Sequence, residues 1–99
     1  MDSLTVDRQH DGAHGAYVAT VAGIHGDARL HYRHESPGVI AAVHTETPDA
    51  LRGRGVALKL VERLVEDARS EGTRIHALCS YVDHQREKHP EWADVFVTP

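Results

Sequence analysis

Arg52-Gly53-Arg54-Gly55-Val56-Ala57 places two guanidinium groups and two glycines directly ahead of an amphipathic run. Val56, Ala57, Leu60, Val61, Leu64, Val65 and Ala68 then recur at i, i+3 and i+4, while Lys59, Glu62, Arg63, Glu66, Asp67 and Arg69 fill the opposite side. That spacing predicts a helix of about four turns. Glycines that bare the backbone at a helix N-terminus, beside guanidinium groups, make an anion site. Free N–H groups point outward, the dipole favours negative charge, and no Cβ blocks close approach. The chemistry this suits is a phosphate or pyrophosphate cradle; the bland alternative is a tight turn before a packing helix. A Walker A loop is excluded because no G-x-x-x-x-G-K-S/T string occurs. A dinucleotide fingerprint is excluded because Leu58 stands where its third glycine would fall.

Two other places carry groups able to move protons or acyl groups. Cys79, the single cysteine of the 99 residues, ends an apolar run just ahead of a predicted helix, where the dipole would lower a thiol pKa. A lone cysteine there also serves as a small apolar side chain. His44 and Glu46 are two apart, so on an extended strand they share a face. Either, or a water between them, could act as a general base. Alternatively Glu46 caps a loop and His44 simply ends a strand.

The loop matches a longer pattern: Arg or Gln, two residues, Gly, one residue, then Gly or Ala, met by Arg52, Gly55 and Ala57. It resembles the acyl-CoA pyrophosphate loop of the GNAT acetyltransferase superfamily. His44-Thr45-Glu46 before it, Ala77-Leu78-Cys79-Ser80-Tyr81-Val82 after the helix, and His89-Pro90-Glu91-Trp92-Ala93-Asp94-Val95 near the end keep that order and spacing. Over roughly residues 15 to 97 the chain resembles the minimal, single-domain GNAT-like N-acetyltransferases. It departs from them at Thr47-Pro48, where an aliphatic residue is usual, and at Ala57, which replaces a second glycine.

The resemblance implies acetyl-CoA as cosubstrate and an amine as acceptor. It assigns Arg52 and Arg54 to CoA phosphates and the backbone amides from Gly53 through Arg54, Gly55 and Val56 to Ala57 to the pyrophosphate. Cys79 then acts as a nucleophile in a ping-pong scheme or as the acid that protonates departing CoA thiolate. The second fits the direct attack in a ternary complex that is usual for GNAT chemistry. Tyr81 is the rival acid, and His44 and Glu46 are the candidate bases.

These groups need elements to hold them. Leu4-Thr5-Val6 is at most a short edge strand in a polar segment, residues 1–14, that contains an Asp11-Gly12 turn signal. Alternation from Ala16 to Val21 and from Arg29 to His34, with turns at Gly23 to Asp27 and Ser36-Pro37-Gly38, predicts two strands, and Val39 to His44 a third. They form an antiparallel meander. The helix runs from about Arg54 to Glu71 and stops at Gly72. Ile75 to Cys79 is a buried strand, and Ser80, with Asp83 three residues on, is the candidate N-cap of a short helix ending before Pro90. Trp92, Val95 and Phe96 should dock on the sheet. The expected class is α/β (α+β): a GNAT-like, mixed but mainly antiparallel sheet, a central helix after the RGRG loop, and a short C-terminal helix. One catalytic domain spans residues 15–99. If the strands ending at His44 and Cys79 are parallel neighbours, the helix joining them puts the cradle between their C-terminal ends. The resemblance adds that these strands splay there and the acyl-CoA arm lies in the gap.

Bulk properties narrow the class. A net charge of −4 with nine neutral histidines is not the lasting basic surface of a nucleic-acid binder, although protonating those histidines would reverse its sign as pH falls through about 6.5. No apolar run approaches the ~20 residues of a membrane span, the N-terminus is not signal-like, and one cysteine forms no internal disulfide. The expectation is a cytoplasmic monomer or homodimer without nucleic-acid or membrane partners. No H-E-x-x-H or C-x-x-C occurs, and His31 and His34 would point to opposite faces of a strand, so no metal is expected. The alternative to an N-acetyltransferase is a non-catalytic CoA-binding or protein-interaction module, separated from it by whether CoA thiol is released.

Overall fold

Residues 3–97 are described by a computed structural model of the chain. Four strands, β1 (Leu4–Asp11), β2 (His14–Val21), β3 (Ala28–Ser36) and β4 (Val39–Glu46), pair antiparallel in chain order. Helix α1 (Val56–Glu71) then returns the chain so that β5 (Arg74–Ala77) lies parallel to β4. Helix α2 (Ser80–Lys88) and a 3-10 turn at Pro90–Val95 complete the fold. The expected mixed sheet around one central helix is what the chain forms.

The apolar stripe of α1 makes the core. Val56, Leu60, Val61, Leu64, Val65 and Ala68 are buried against Tyr17 and Ala19 of β2, Leu30 and Tyr32 of β3, Ile40 and Ala42 of β4, and Ile75 of β5. Each fully buried Leu or Val contributes roughly 1.5–3 kcal/mol. The helix starts at Val56, two residues later than the periodicity alone suggests, because Gly55 takes a left-handed φ of +73° as its N-cap. It ends at Gly72, as expected, with the Thr73 amide bonded to the Ala68 carbonyl at 2.9 Å.

Two other boundaries differ from expectation. β1 is eight residues long and fully paired with β2. Its inward positions continue past Leu4 and Val6 as Arg8 and His10, whose polar ends bond the Tyr32 hydroxyl at 3.0 and 3.1 Å. Long amphipathic side chains thus do there what apolar ones do elsewhere, and hydrophobic alternation misses them. At α2 the N-cap is Cys79 rather than Ser80, because the chain has already left β5 at Ala77; the Asp83 amide bonds the Cys79 carbonyl at 3.0 Å. Trp92, Val95 and Phe96 are buried, and Phe96 pairs with Ile75 beside β5. Among the described residues no helix is long and apolar enough to cross a membrane.

A polar network fastens β1 and β2 to α1. The fully buried Tyr17 donates its hydroxyl to Asp67 at 2.8 Å, and Arg8 and Arg63 reach the same carboxylate. Burial first, and then the bond to Asp67, push the Tyr17 phenol far above its ordinary value, so it is a permanent donor. Tyr17→Phe should lower stability by about 2 kcal/mol, the range for a hydrogen bond to a charged group. A drop in the urea midpoint at unchanged slope is the expected reading.

Candidate active site

The anion loop follows a short 3-10 turn, Asp49–Leu51, whose Leu51 is completely buried and anchors it beneath α1. Gly53 and Gly55 have φ of +78° and +73°, a region where other L-residues are strained. The amides of Val56, Ala57 and Leu58 open the helix without a preceding turn to receive them. Arg52 and Arg54 spend their Nε groups on the loop itself, donating to the carbonyls of Thr47 and Ala50 at 3.2 Å each. Arg52 also lies 3.5 Å from Asp49, with its side chain largely exposed. The two guanidiniums therefore brace the loop that they flank. Val56 is buried, so it can offer a ligand only its amide.

Next to this loop the β4–β5 ladder stops. Its last pair is Ala42 with Ala77, and the Ala42 carbonyl accepts both the Leu78 amide at 3.0 Å and the Cys79 amide at 2.8 Å. β4 runs on to Glu46 unpaired on that side, so the hydrogen bonding between the two strands ends here. The pairing of β3 with β4 shifts at the same level: His31 faces His44 but Tyr32 faces Ala42, leaving Val43 as the extra, bulged residue. Val43 on β4 and Leu78, just past the end of β5, are the exposed large hydrophobic side chains of the described chain.

Across the gap Thr45 Oγ1 lies 3.2 Å from Cys79 Sγ. Cys79 is a buried, free thiol. Tyr81 is the second residue of α2 and is half-buried. Burial first, then neighbouring Cys79, raise its pKa against a smaller opposing effect of Gln85, so it stays a neutral hydroxyl.

His44 and Glu46 share the face of the sheet turned away from α1, as their spacing predicts. Thr45 between them points the other way, towards Cys79. One three-residue segment thus addresses both sides of the sheet. The structure adds His31 to this group. Its Nε2 is 3.0 Å from Glu46 Oε2, against 3.9 Å for His44 Nε2 to Oε1, and the two rings stack with centroids 6.1 Å apart. The bond from His31, then the charges of His31, His44 and Arg29, hold the exposed Glu46 carboxyl below the usual glutamate range. Sequence reading missed His31 and Thr45 as partners because only the register reveals them. Among the described residues no three histidine, cysteine or carboxylate side chains are placed to hold a metal ion.

Comparison with known proteins agrees with this geometry. A family model described as GCN5-related N-acetyl-transferase matches residues 16–95. Protein NATD1 of Bos taurus is 30% identical over 82 residues, covering 83% of this chain and 73% of its own. Protein NATD1 of Gallus gallus is 29% identical over 82 residues, covering 83% and 74%. The solution structure of a GCN5-like protein from Staphylococcus aureus superposes with a TM-score of 0.68 at 27% identity, covering 94% of this chain and 89% of that one.

The loop glycines give a direct test of backbone strain. A Cβ at Gly55 would meet no atom within 4 Å, so any cost of Gly55→Ala comes from its positive φ. Gly55→Ala should lose about 1–2 kcal/mol in urea unfolding, and Gly55→Asn, which tolerates that conformation, should lose less.

Proposed function

This chain belongs to the GCN5-related N-acetyltransferase family, and on that footing we propose that it transfers acetyl from acetyl-CoA to an amine by direct attack in a ternary complex. It is an acyltransferase; the route and the residue roles are our reading. The observation that carries them is the parting of β4 and β5 beside a glycine-rich helix N-terminus, with a buried thiol in the gap. The pyrophosphate is received by amides from Gly53 to Ala57, with Arg52 and Arg54 adding charge from the rim. The acyl-bearing arm enters between the strands against Val43 and Leu78, and the thioester comes to rest near Cys79 and Thr45.

The acceptor approaches from the face carrying His44 and Glu46. One of these groups, or a water between them, removes a proton from the ammonium, so that the nitrogen lone pair can attack the acetyl carbon. Backbone amides at the strand break receive the oxyanion. When the tetrahedral adduct collapses, the nitrogen releases its second proton to solvent, the C–S bond breaks, and Cys79 gives its proton to the CoA thiolate, regaining one from solvent. Tyr81, kept neutral by its surroundings, is the second donor within the same region. A CoA-binding module that performs no transfer would share the cradle but release no thiol. Dependence on acetyl-CoA and a lone unpaired thiol suit a cytoplasmic setting.

Calorimetric titration with acetyl-CoA tests the cradle. Micromolar binding should weaken at least tenfold, about 1.4 kcal/mol, in an Arg52→Ala/Arg54→Ala variant. Absence of binding to the unaltered protein would remove this function. Intact-mass spectrometry after acetyl-CoA alone tests the role of Cys79: the protein should carry no acetyl group. A stable acetyl-Cys79 that chases onto spermidine or a lysine peptide would establish the ping-pong route instead.

A further inference from the structure

We infer that His31, held by Glu46, is the group that takes the proton from the incoming amine, with Glu46 its positioning carboxylate rather than the base. This rests on the acetyl-transfer reading above and refines its acceptor side. The argument starts from register. His31 lies directly across from His44, and Arg29 directly across from Glu46, so Glu46 is the diagonal neighbour of His31 on one face. Their side chains meet at 3.0 Å, whereas His44 stays 3.9 Å from the same carboxylate and is more exposed, 64% against 39%.

An imidazole bonded through Nε2 to a carboxylate has its tautomer fixed. Nε2 carries the hydrogen and donates it, leaving the Nδ1 lone pair as the acceptor. When Nδ1 takes a proton from the ammonium, the resulting imidazolium sits against the Glu46 charge. A carboxylate that orients and stabilises a histidine base is a general arrangement in catalysis. Glu46 alone is a poor base for this task. The groups around it hold its proton affinity below that of an ordinary carboxyl, and efficiency favours a base that titrates near the working pH.

The neighbours of His31 bear on its charge. Arg29 and Arg33 flank it on its own strand, with Arg29 tied to Asp27 at 2.9 Å. His44 and Glu46 face it from β4, and Ala16 is its partner on β2. Beside it runs a shallow depression floored by Gly15 and Ala16 and edged by His10, Asp11 and His14. Glu46 is the carboxylate in contact with the ring and offsets positive charge that the ring gains on taking a proton. The small Ala16 side chain leaves open space next to the ring where a tall residue would close it.

The test is the pH dependence of kcat/KM for CoA thiol release, with spermidine and a lysine peptide as probe amines. If His31 is the base, His31→Asn abolishes the acidic limb of the profile and lowers the rate at neutral pH by about 10²-fold or more. Glu46→Gln keeps a limb, displaced to lower pH, because its amide oxygen still accepts from Nε2 without the charge. A limb that survives His31→Asn and vanishes in Glu46→Gln would overturn the assignment and restore Glu46 as the base. A 13C titration of Glu46 runs in parallel and needs no turnover. Its midpoint should rise towards the usual glutamate range in His31→Asn. If neither amine is acetylated by the unaltered protein, the acetyl-transfer reading fails on those probes, and the carbon titration alone decides the pairing. A midpoint unchanged by His31→Asn overturns it.

Discussion

One carbonyl oxygen sets the geometry of this molecule. By accepting two successive amides, from Leu78 and Cys79, the Ala42 carbonyl closes the parallel ladder and turns the chain away from β4. A third in-register bond would carry β5 onward beside Val43 and Thr45, sealing the gap and leaving Cys79 within a continuous sheet. Because the ladder stops there, Cys79 becomes the N-cap of α2 and its thiol meets the Thr45 hydroxyl of β4. The bulge at Val43 does the complementary work on the other side of β4. It resets the alternation so that His44 and Glu46 lie on the open face while Thr45 faces the interior.

A chain of 99 residues has little core to spare, and the order of its elements shows how it is used. The long helix α1 covers the face where β2, β3 and β4 carry Tyr17, Leu30, Tyr32 and Ile40. The edge strand β1 is fastened by Arg8 to Asp67 and Tyr32 rather than by a further layer of apolar side chains. Gly15 belongs to that arrangement, since a Cβ there would collide with the Tyr32 ring. The ring can lie over the backbone of β2 only because position 15 has no side chain.

What the sequence made legible follows from the range of each signal. The stripe from Val56 to Ala68, the stop at Gly72 and the glycines of the anion loop are local patterns, and each predicted its element within two residues. The parallel relation of β4 and β5 followed from strand, helix and strand in succession. The shared face of His44 and Glu46 needed only the period of an extended chain. Other features depend on register between distant segments. The partnership of His31 with Glu46 spans fifteen positions and requires the exact pairing of β3 and β4, including the shift at Val43. The Thr45–Cys79 contact spans thirty-four positions across a place where pairing fails. β1 was under-read because Arg8 and His10 occupy its inward positions. Local chemistry gave the parts, and only the three-dimensional register gave their partners.

The face turned away from α1 has a consequence for how such a protein can change. Ala16 and Val18 are its buried side chains on β2, whereas Gln9, His14, Arg29, His31 and His44 stand on it with part or all of their surface in water. Their replacement leaves the packing of α1 untouched, so variation there is largely uncoupled from folding. The opposite face has less freedom, since Tyr17, Leu30, Tyr32, Ile40 and Ala42 on it share one buried core with the helix. Natural drift or a designed library could therefore vary the chemistry of this one sheet face while the helix-covered face stays constant. In this scaffold the pleat of the sheet, rather than an added loop, separates heritable stability from evolvable recognition.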